Sequence, residues 1–524
     1  MQPQSVASDN ALDGLFALAR GHFEETVERC KAIVRACGST LTEVEQVLGQ
    51  RQREEGRLLV EAMIAGLRPR VESAAMVTAE VRERRWHRES SRTVLTTFGP
   101  ITLVRRGYFG TGGPALFPLD GLLNLPAESH MSYSMLEHVA RESARGSFEQ
   151  ACATVKAFLG VAPGKRQAEE AALAAVIDFQ EFYETRARQE SGETGDAEKP
   201  EGEAPNCRDV LAMSTDGKGV VVRTEDLRES TRAKAESSKN KLSKRLSSGE
   251  KANRKRMAQV ATVYDIAPFQ RTTDDIVGEL AHEISKSKRP RPSDKRVWAN
   301  ITEEPEAVIA EMFAEAKRRD PSGSRAWVVL IDGNRAQRQA VERAVKDCGR
   351  EVVIIADLIH VIEYLWGIVW LFFPEGDPNG QAWVTARLRM ILDGKSKEVC
   401  RQVRRFAARR GLEGNDEKRV EEVAKYLTAL RPYLRYDLYL AQGLPIATGV
   451  IEGACRHLVK DRMDITGARW SVEGAEAVLR LRSLVASHDF EAYWVMHQEI
   501  GFQATHAARY ADPAILRRAR LRAV

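Results

Sequence analysis

The stretch Trp327-Val-Val-Leu-Ile-Asp332-Gly333-Asn334 consists of five apolar residues, an acidic residue and a glycine. A short apolar run that ends at a turn signal predicts a buried strand. A carboxylate placed directly after such a strand lies at the edge of the sheet, where a hydrated cation can reach it. The pattern also has a purely structural explanation, because Asp-Gly pairs are common in turns.

Two further acidic residues stand in comparable settings. Asp216 follows the apolar run that begins at Leu211, and Glu452 lies in a helix-like, arginine-rich stretch that begins at Gly449. Three carboxylates at two strand ends and one helix form the oxygen set that Mg2+ prefers, and Mn2+ could substitute for it. The same arrangement suits two-metal phosphoryl transfer. We therefore predict Asp216, Asp332 and Glu452 as catalytic metal ligands.

The order of elements after residue 207 indicates the fold class. The predicted elements are a strand hairpin at Asp209–Arg223, strands at Met257–Tyr264, Arg325–Ile331 and Glu351–Asp357, and a helix at Gln337–Asp347. This order is that of an α/β core with the ribonuclease-H-like fold. Its mixed sheet places the first and fourth strands side by side, so Asp216 and Asp332 are expected to meet. We predict the first part of the core over 207–366, an all-α insertion over 367–448 and the C-terminal helices and basic tail over 449–524.

The chain before the core is predicted to be mainly helical, with one β-hairpin. We expect a helical region over 1–92, a hairpin and helix-turn-helix-like region over 93–188, and a flexible acidic linker over 189–206. The hairpin signal is Thr93–Tyr108, around a turn at Gly99-Pro100. Helices at Ser147–Gly160 and Gln167–Arg186, with Lys165 and Arg166 at the start of the second, have the outline of a DNA-reading helix-turn-helix. A simple helical hairpin with a glycine turn would look the same.

Charge is concentrated locally. The formal net charge of the 524 residues is only +5, but Arg232–Arg256 carries ten Lys or Arg residues against two Glu residues. A basic loop beside a metal site could grip a phosphate backbone, with Lys255 and Arg256 at its end. The alternative is an ordinary solvated loop.

Composition excludes several other classes of protein. Apolar residues make up 43% of the chain, yet no apolar run approaches the roughly 20 residues needed to cross a bilayer. The seven cysteines form no Cys-x-x-Cys pair, which argues against a disulfide framework and a zinc cluster. We expect a protein of the reducing cytoplasm with no membrane partner.

A second motif follows the last predicted strand. Asp357 and His360 stand three residues apart, so both can face one side of a helix start. They could be metal ligands or a structural cap, and we predict a supporting role in which His360 holds Asp357. The aromatic residues of the predicted insertion, which could stack on bases or pack in the core, are Tyr426, Tyr433, Tyr436 and Tyr439.

The stretch Gly449–Arg482 joins two predicted helices through a Gly-x-x-Trp-Ser turn. Glu452, Arg456 and Lys460 are spaced to share one face of an α-helix, which could meet both a metal and DNA phosphates. A surface ladder of salt bridges is the alternative. We add Arg462 and Trp470, which follow on the same stretch, to the predicted DNA-binding residues.

Taken together, these motifs resemble DDE-type bacterial insertion-sequence transposases of the ISKra type, which are related to the Mutator-like group. The resemblance covers most of the chain. The matching pieces are Thr93–Leu119, Asp216-Gly217, Asp332-Gly333, Asp357-x-x-His360 and Gly449–Arg482.

The resemblance implies roles for individual residues. Asp216, Asp332 and Glu452 would be the catalytic triad, Asp357-x-x-His360 would correspond to the group's Cys-or-Asp-x-x-His element, and Trp470 would lie in its Trp-Ser turn. Relatives often carry a Cys-x-x-Cys pair after the basic hairpin. The stretch Tyr108–Gly113 has no cysteine, so no zinc knuckle is expected.

The resemblance also implies a reaction and its partners. Water would free a 3′-hydroxyl at an element end in a two-metal site, and that hydroxyl would then attack target DNA. The partners would be double-stranded DNA, as terminal inverted repeats and target, and further copies of the chain in a homodimer or larger assembly. Two alternatives stay open: a domesticated DNA-binding protein without catalysis, and a ribonuclease-H-like nuclease or resolvase.

Overall fold

The chain forms two compact units, 1–182 with 489–524 and 183–488. The computed structural model describes residues 9–72, 86–110, 115–190, 210–237, 254–285, 288–465 and 467–510. The predicted segment 449–524 is thus divided between the two units. No helix within these described residues combines the length and the apolar composition that a membrane crossing requires.

The first unit begins with two long helices and a hairpin, as predicted. They are α1 (Asp9–Ala36), α2 (Leu41–Val71), β1 (Trp86–Thr96) and β2 (Gly99–Phe109). Thr96 pairs with Gly99, so the turn consists of residues 97 and 98 and lies just before the predicted Gly99-Pro100 turn. Strand β1 also begins before the predicted boundary at residue 93, and residues 73–85 lie outside the described part of the chain.

The helix-turn-helix-like segment differs from the prediction in its second helix. The remaining helices that begin in this unit are α3 (Pro118–Leu122), α4 (Tyr133–Arg145), α5 (Phe148–Leu159), α6 (Lys165–Ala174), α7 (Phe179–Glu190), which runs past residue 182, and the C-terminal α20 (Phe490–Thr505). The predicted helix 167–186 is therefore broken at 175–178. The break is fixed by α20, because the Tyr493 hydroxyl donates to the Ala175 carbonyl and His497 bonds to Asp178.

A five-stranded mixed sheet organises the second unit. Its strands are β3 (Val210–Val221), β4 (Lys255–Ile266), β5 (Ser293–Asn300), β6 (Trp327–Ile331) and β7 (Val352–Ala356), in the order β5-β4-β3-β6-β7. β3 pairs antiparallel with β4 and parallel with β6, and β7 pairs parallel with β6. The first and fourth strands are parallel neighbours, as predicted.

The prediction of a hairpin over 209–223 is wrong. The segment is one strand that pairs with β4 along its whole length, from Val210 opposite Ile266 to Val221 opposite Lys255. Asp216 therefore lies in the middle of a strand and not at its end. Gly217 continues the strand instead of turning it, because β4 supplies pairing partners on both sides of it.

Helices cover this sheet and fill the predicted insertion. They are α8 (Glu229–Ser237), α9 (Thr273–Leu280), α10 (Pro305–Arg319), α11 (Arg335–Cys348), α12 (Leu358–Val369), α13 (Pro378–Leu392), α14 (Ser396–Arg409), α15 (Gly414–Leu430), α16 (Tyr436–Ala441), α17 (Gly449–Ala454), a π-helix (Cys455–Lys460), α18 (Asp461–Met463) and α19 (Val472–Ala486). The regular elements between residues 367 and 448 are all helices. Residues 191–209 of the predicted linker and 238–253 of the basic run lie outside the described residues.

The helical insertion is bonded to the sheet through tyrosine hydroxyls. Tyr436 is fully buried and donates to the Ala356 carbonyl at 2.7 Å, and Tyr439 donates to the Ile354 carbonyl at 3.3 Å. Tyr433 donates to Glu342 on α11. These three tyrosines therefore pack within the fold, which is the second of the two uses given for them from the sequence.

Gly333, just after β6, lies against Tyr426 and Leu430 of the insertion, so its substitution tests this packing. Its φ is +95°, and an added Cβ would lie 2.6 Å from the Tyr426 ring and 2.8 Å from Leu430. We expect Gly333→Ala to lower the free energy of unfolding by about 2–4 kcal/mol, from backbone strain and overpacking together. Denaturant unfolding measures the change.

Gly349 provides the matched control. It also has positive φ, +67°, but nothing lies within 4 Å of its added Cβ. Gly349→Ala should cost only the strain of the left-handed backbone, about 1 kcal/mol. Equal losses for the two variants would contradict the close packing of Tyr426 on the turn.

Candidate functional site

Asp332 lies at the carboxyl end of β6, beside β3. The parallel register runs from Leu211 opposite Trp327 to Ser214 opposite Leu330, and the same offset continued places Asp332 beside Asp216. The half-buried Asp332 accepts the Asn334 N–H at 2.8 Å, and Asn334 caps α11. Asp332 therefore does lie in an Asp-Gly turn, as the purely structural explanation expects. The same turn places Asp332 beside Asp216 at the end of β6.

Asp216 connects the sheet to the helical segment that carries Glu452. One of its carboxylate oxygens accepts the Gly217 N–H at 2.6 Å, and the other accepts the Cys455 thiol at 3.2 Å. Burial raises the pKa of the Cys455 thiol, and the neighbouring Asp216 raises it further, so the thiol keeps its proton and donates.

Asp357 is the most constrained side chain of the site. It is fully buried and accepts four hydrogen bonds, two from the backbone N–H groups of Ile359 and Thr448, one from the Thr448 hydroxyl at 2.5 Å and one from His360 Nδ1 at 2.6 Å. Thr448 directly precedes the helix of Glu452. Asp357 thus holds together β7, α12 and α17, which is the geometry expected of a supporting residue.

His360 is oriented by that carboxylate. The hydrogen bond to Asp357 raises the pKa of His360 to about 9, with Asp332 and Glu363 adding to the effect and burial opposing it. A histidine that donates Nδ1–H to a buried carboxylate has a fixed ring orientation, and its Nε2 faces away from that bond.

The structure brings together a different set of ligand atoms from the predicted triad. Among the described residues, Asp357, His360 and Glu452 offer ligand atoms that all lie within 4.8 Å of one another. Asp216, Asp332 and Glu452 do not form such a group among these residues. Asp216 accepts bonds from Gly217 within β3 and from Cys455 on the π-helix, and Asp332 accepts the Asn334 N–H of its turn.

The charge of Asp216 acts on both other members of the predicted triad. Burial raises the pKa of Asp332, and the charge of Asp216 adds to this. Burial also raises the pKa of Glu452, with contributions from the charges of Asp357, Glu363 and Asp216. Asp216 therefore disfavours ionisation of both carboxyl groups, and a divalent cation would relieve that repulsion.

The donor chemistry fits Mg2+ or Mn2+. The oxygens of Asp216, Asp332 and Glu452 are hard ligands of the kind that these ions prefer. Asp357 already uses its oxygens in four hydrogen bonds, so we assign it to positioning instead of direct coordination.

Four of the predicted DNA-binding cations are exposed on helices. They are Lys165 and Arg166 at the start of α6, and Arg456 and Lys460 on the π-helix. Arg166 pairs with Glu170, and Arg456 lies 4.0 Å from Asp461. Lys255 is exposed as well, whereas Arg256 is half-buried and donates to the Ile301 carbonyl.

The prediction that Arg462 and Trp470 contact DNA is revised. Arg462 is only 2% exposed and lies over the Trp470 ring at 4.7 Å, where burial lowers its pKa to about 10. Backbone bonds join Trp470 to Val221 and Arg223, and its indole donates to Met463. Both side chains pack inside the unit and fasten the segment after Glu452 to the end of β3.

The predicted common face of Glu452, Arg456 and Lys460 runs from α17 into a π-helix. Residues 455–460 form this π-helix, in which each N–H bonds five residues back. Arg456 lies 4.0 Å from Asp461.

Sequence reasoning missed three residues of the site. Glu363 stands three residues after His360, a helical spacing that could have indicated it. Cys455 stands three residues after Glu452 and Thr448 four before it, but neither carries a signal by itself.

A scan against protein-family models finds no match to this chain, and a search among curated proteins finds no significant relative.

Thr448→Val tests the role of Asp357 as the residue that joins three elements. The change keeps the shape of the side chain but leaves a fully buried carboxylate oxygen without its hydroxyl donor. We expect a loss of about 1–3 kcal/mol in the free energy of unfolding. Thr273→Val removes the same kind of bond, to Asp393, at an exposed position and should cost less than about 1 kcal/mol. Similar losses would contradict the central role of Asp357.

Neutralising Asp332 tests the repulsion within the site. Its raised pKa means that the ionised carboxylate destabilises the fold at pH 7–8, so Asp332→Asn should raise the free energy of unfolding by about 0.5–1 kcal/mol without metal. The Asn oxygen can still accept the Asn334 N–H. Glu375→Gln, in an exposed loop, should change nothing.

With Mg2+ present, wild type should become more stable than Asp332→Asn. A bound ion stabilises the folded state, by about 2.7 kcal/mol at one hundred times its dissociation constant. We expect wild type and Glu375→Gln to gain stability and Asp332→Asn to gain much less. Thermal unfolding with and without Mg2+ measures this gain in stability. An equal gain in all three proteins would argue against a metal site at Asp332.

Proposed function

We propose that this chain is a DDE-type DNA transposase of an insertion sequence, which binds terminal inverted repeats and catalyses Mg2+-dependent strand cleavage and strand transfer. The observation that carries the proposal is the acidic site at one sheet edge. Asp216 comes from β3, and Asp332 follows its parallel neighbour β6. Glu452 comes from a helical segment whose Cys455 bonds to Asp216 on β3.

The arrangement of the sheet supports a ribonuclease-H-like core. Three antiparallel strands are followed by two parallel strands on the other side of the first. This order places the first and fourth strands side by side, which the proposed metal chemistry requires. The all-α insertion between α12 and α17 separates Asp332 from Glu452 in sequence, and the charge that acts on both of them is that of Asp216.

The residues around the acidic site divide the work of a phosphoryl transfer. Magnesium bound by the three carboxylates would lower the pKa of a bound water and neutralise charge on the phosphate. Asp357 fixes the position of His360, and a protonated His360 can donate a hydrogen bond to a phosphate oxygen. The exposed Arg456 and Lys460 would hold the DNA backbone beside Glu452.

The first unit would recognise the element ends. Lys165 and Arg166 are exposed at the start of α6, after a short turn from α5, as in a helix that enters a groove of DNA. Two ends must be joined in one complex, so we propose a homodimer or larger assembly on DNA. The protein would act on nucleoid DNA in the cytoplasm.

Cleavage of labelled DNA that carries the gene's own flanking sequence tests the proposal. We expect Mg2+-dependent breaks at a repeat boundary with wild type and with Glu375→Gln, whose side chain is exposed in a loop. Asp332→Asn and Glu452→Gln should lower the cleavage rate at least 100-fold, the scale of losing one transition-state stabiliser, while binding persists.

The other outcomes separate the alternatives. Breaks without sequence preference would favour a nuclease or resolvase with the same fold. Tight binding at the boundary without any break would favour a DNA-binding protein that has lost catalysis. Cleavage that survives both substitutions would reject the acidic site as the catalytic centre.

A further inference from the structure

Two tyrosines form a stacked pair beside the acidic site. Tyr364 on α12 and Tyr426 on α15 have ring centroids 3.7 Å apart and ring planes inclined by 16°. The Tyr426 hydroxyl donates to the Asp332 carbonyl at 3.0 Å, and its ring lies against the Gly333 turn. The pair is therefore attached directly to the turn that presents the second catalytic aspartate.

The two rings differ in exposure. Tyr426 is half-buried, and burial together with the nearby charges of Asp332, Asp357 and Glu363 raises its pKa. Tyr364 remains 40% exposed although Tyr426 covers one face of its ring. An exposed aromatic ring with a second ring behind it is a rigid, flat surface that needs no further side chain to hold its orientation.

The position of this surface favours a nucleobase over other flat ligands. Tyr426, which stacks on Tyr364, bonds to the turn of Asp332, where the proposed function places the DNA strand. Arg419 of α15 is an exposed cation that donates to the Gly367 carbonyl on the helix of Tyr364, and such a cation can attract a phosphate.

We infer that Tyr364, supported by Tyr426, is a stacking site for an unpaired nucleobase of the DNA strand held at the acidic site. The inference rests on the proposed function. Stacking on an aromatic ring tolerates any base and is insensitive to charge, so it positions a strand without reading its sequence. A base drawn out of the duplex there would fix the neighbouring phosphate against Asp332 and Glu452.

The test is an abasic scan of DNA binding with the full chain. Duplexes from the gene's flanks, each lacking one base near the cleaved position, are titrated into wild type, Tyr364→Ala and Tyr364→Phe. With wild type, one position should show a roughly 5- to 150-fold loss of affinity on removal of the base, the range expected for one stacked base. Tyr364→Phe should retain that position dependence, and Tyr364→Ala should bind intact and abasic DNA equally.

Trp370→Ala is the matched control. Trp370 is 41% exposed near the end of the same helix but packs against Trp366 instead of Tyr426. The Trp370→Ala variant should show the same position dependence in the abasic scan as wild type. Circular dichroism of each variant checks folding, and Tyr364→Leu, which keeps apolar packing on Tyr426 without an aromatic face, should behave as Tyr364→Ala.

The outcomes distinguish this inference from the proposed function. Mg2+-dependent cleavage by wild type, with no abasic position that depends on Tyr364, would overturn the stacking site and leave the transposase proposal standing. A Tyr364-dependent position without any cleavage would retain the stacking site in a protein that binds DNA only. Absence of DNA binding by wild type would overturn both.

Discussion

The buried carboxylate of Asp357 is the constraint on which the site depends. A charge removed from water is tolerated only when its hydrogen-bonding capacity is filled, and four donors from three residues in two parts of the chain fill it here. The same bonds orient His360 and fix Thr448, from which the helix of Glu452 begins. The position of the glutamate is thus set by a residue that need not touch metal or substrate.

Two other attachments hold the helical segment of Glu452 against the strand of Asp216. The Cys455 thiol donates to Asp216 itself, and backbone bonds of Trp470 join the following turn to the end of β3. Between them the helix widens into a π-helix, a feature that is frequent at functional sites. These attachments act against the mutual repulsion of the carboxylates, which would otherwise push the segment away from the sheet.

The sequence predicted the position of a residue well where the local pattern and the burial agree. It predicted the position less well where contacts with distant parts of the chain determine it. The apolar run before Asp332 predicted its strand, and the spacing of Asp357 and His360 predicted their bond. Asp216 looked like a strand end because glycine usually signals a turn, but pairing with β4 keeps the chain extended. The burial of Arg462 against Trp470 was not predictable, because a charged and an aromatic residue together also describe a DNA-binding surface.

We propose that Asp216 and Glu452 bind one shared metal ion. The decisive measurement is a double-mutant cycle on Mn2+ affinity, followed by electron paramagnetic resonance with Asp216→Asn, Glu452→Gln and the double variant. We expect a coupling energy above about 0.5 kcal/mol, since ligands of one ion cannot act independently. Losses that add within about 0.3 kcal/mol, or single variants that bind Mn2+ as wild type does, would contradict a shared metal site.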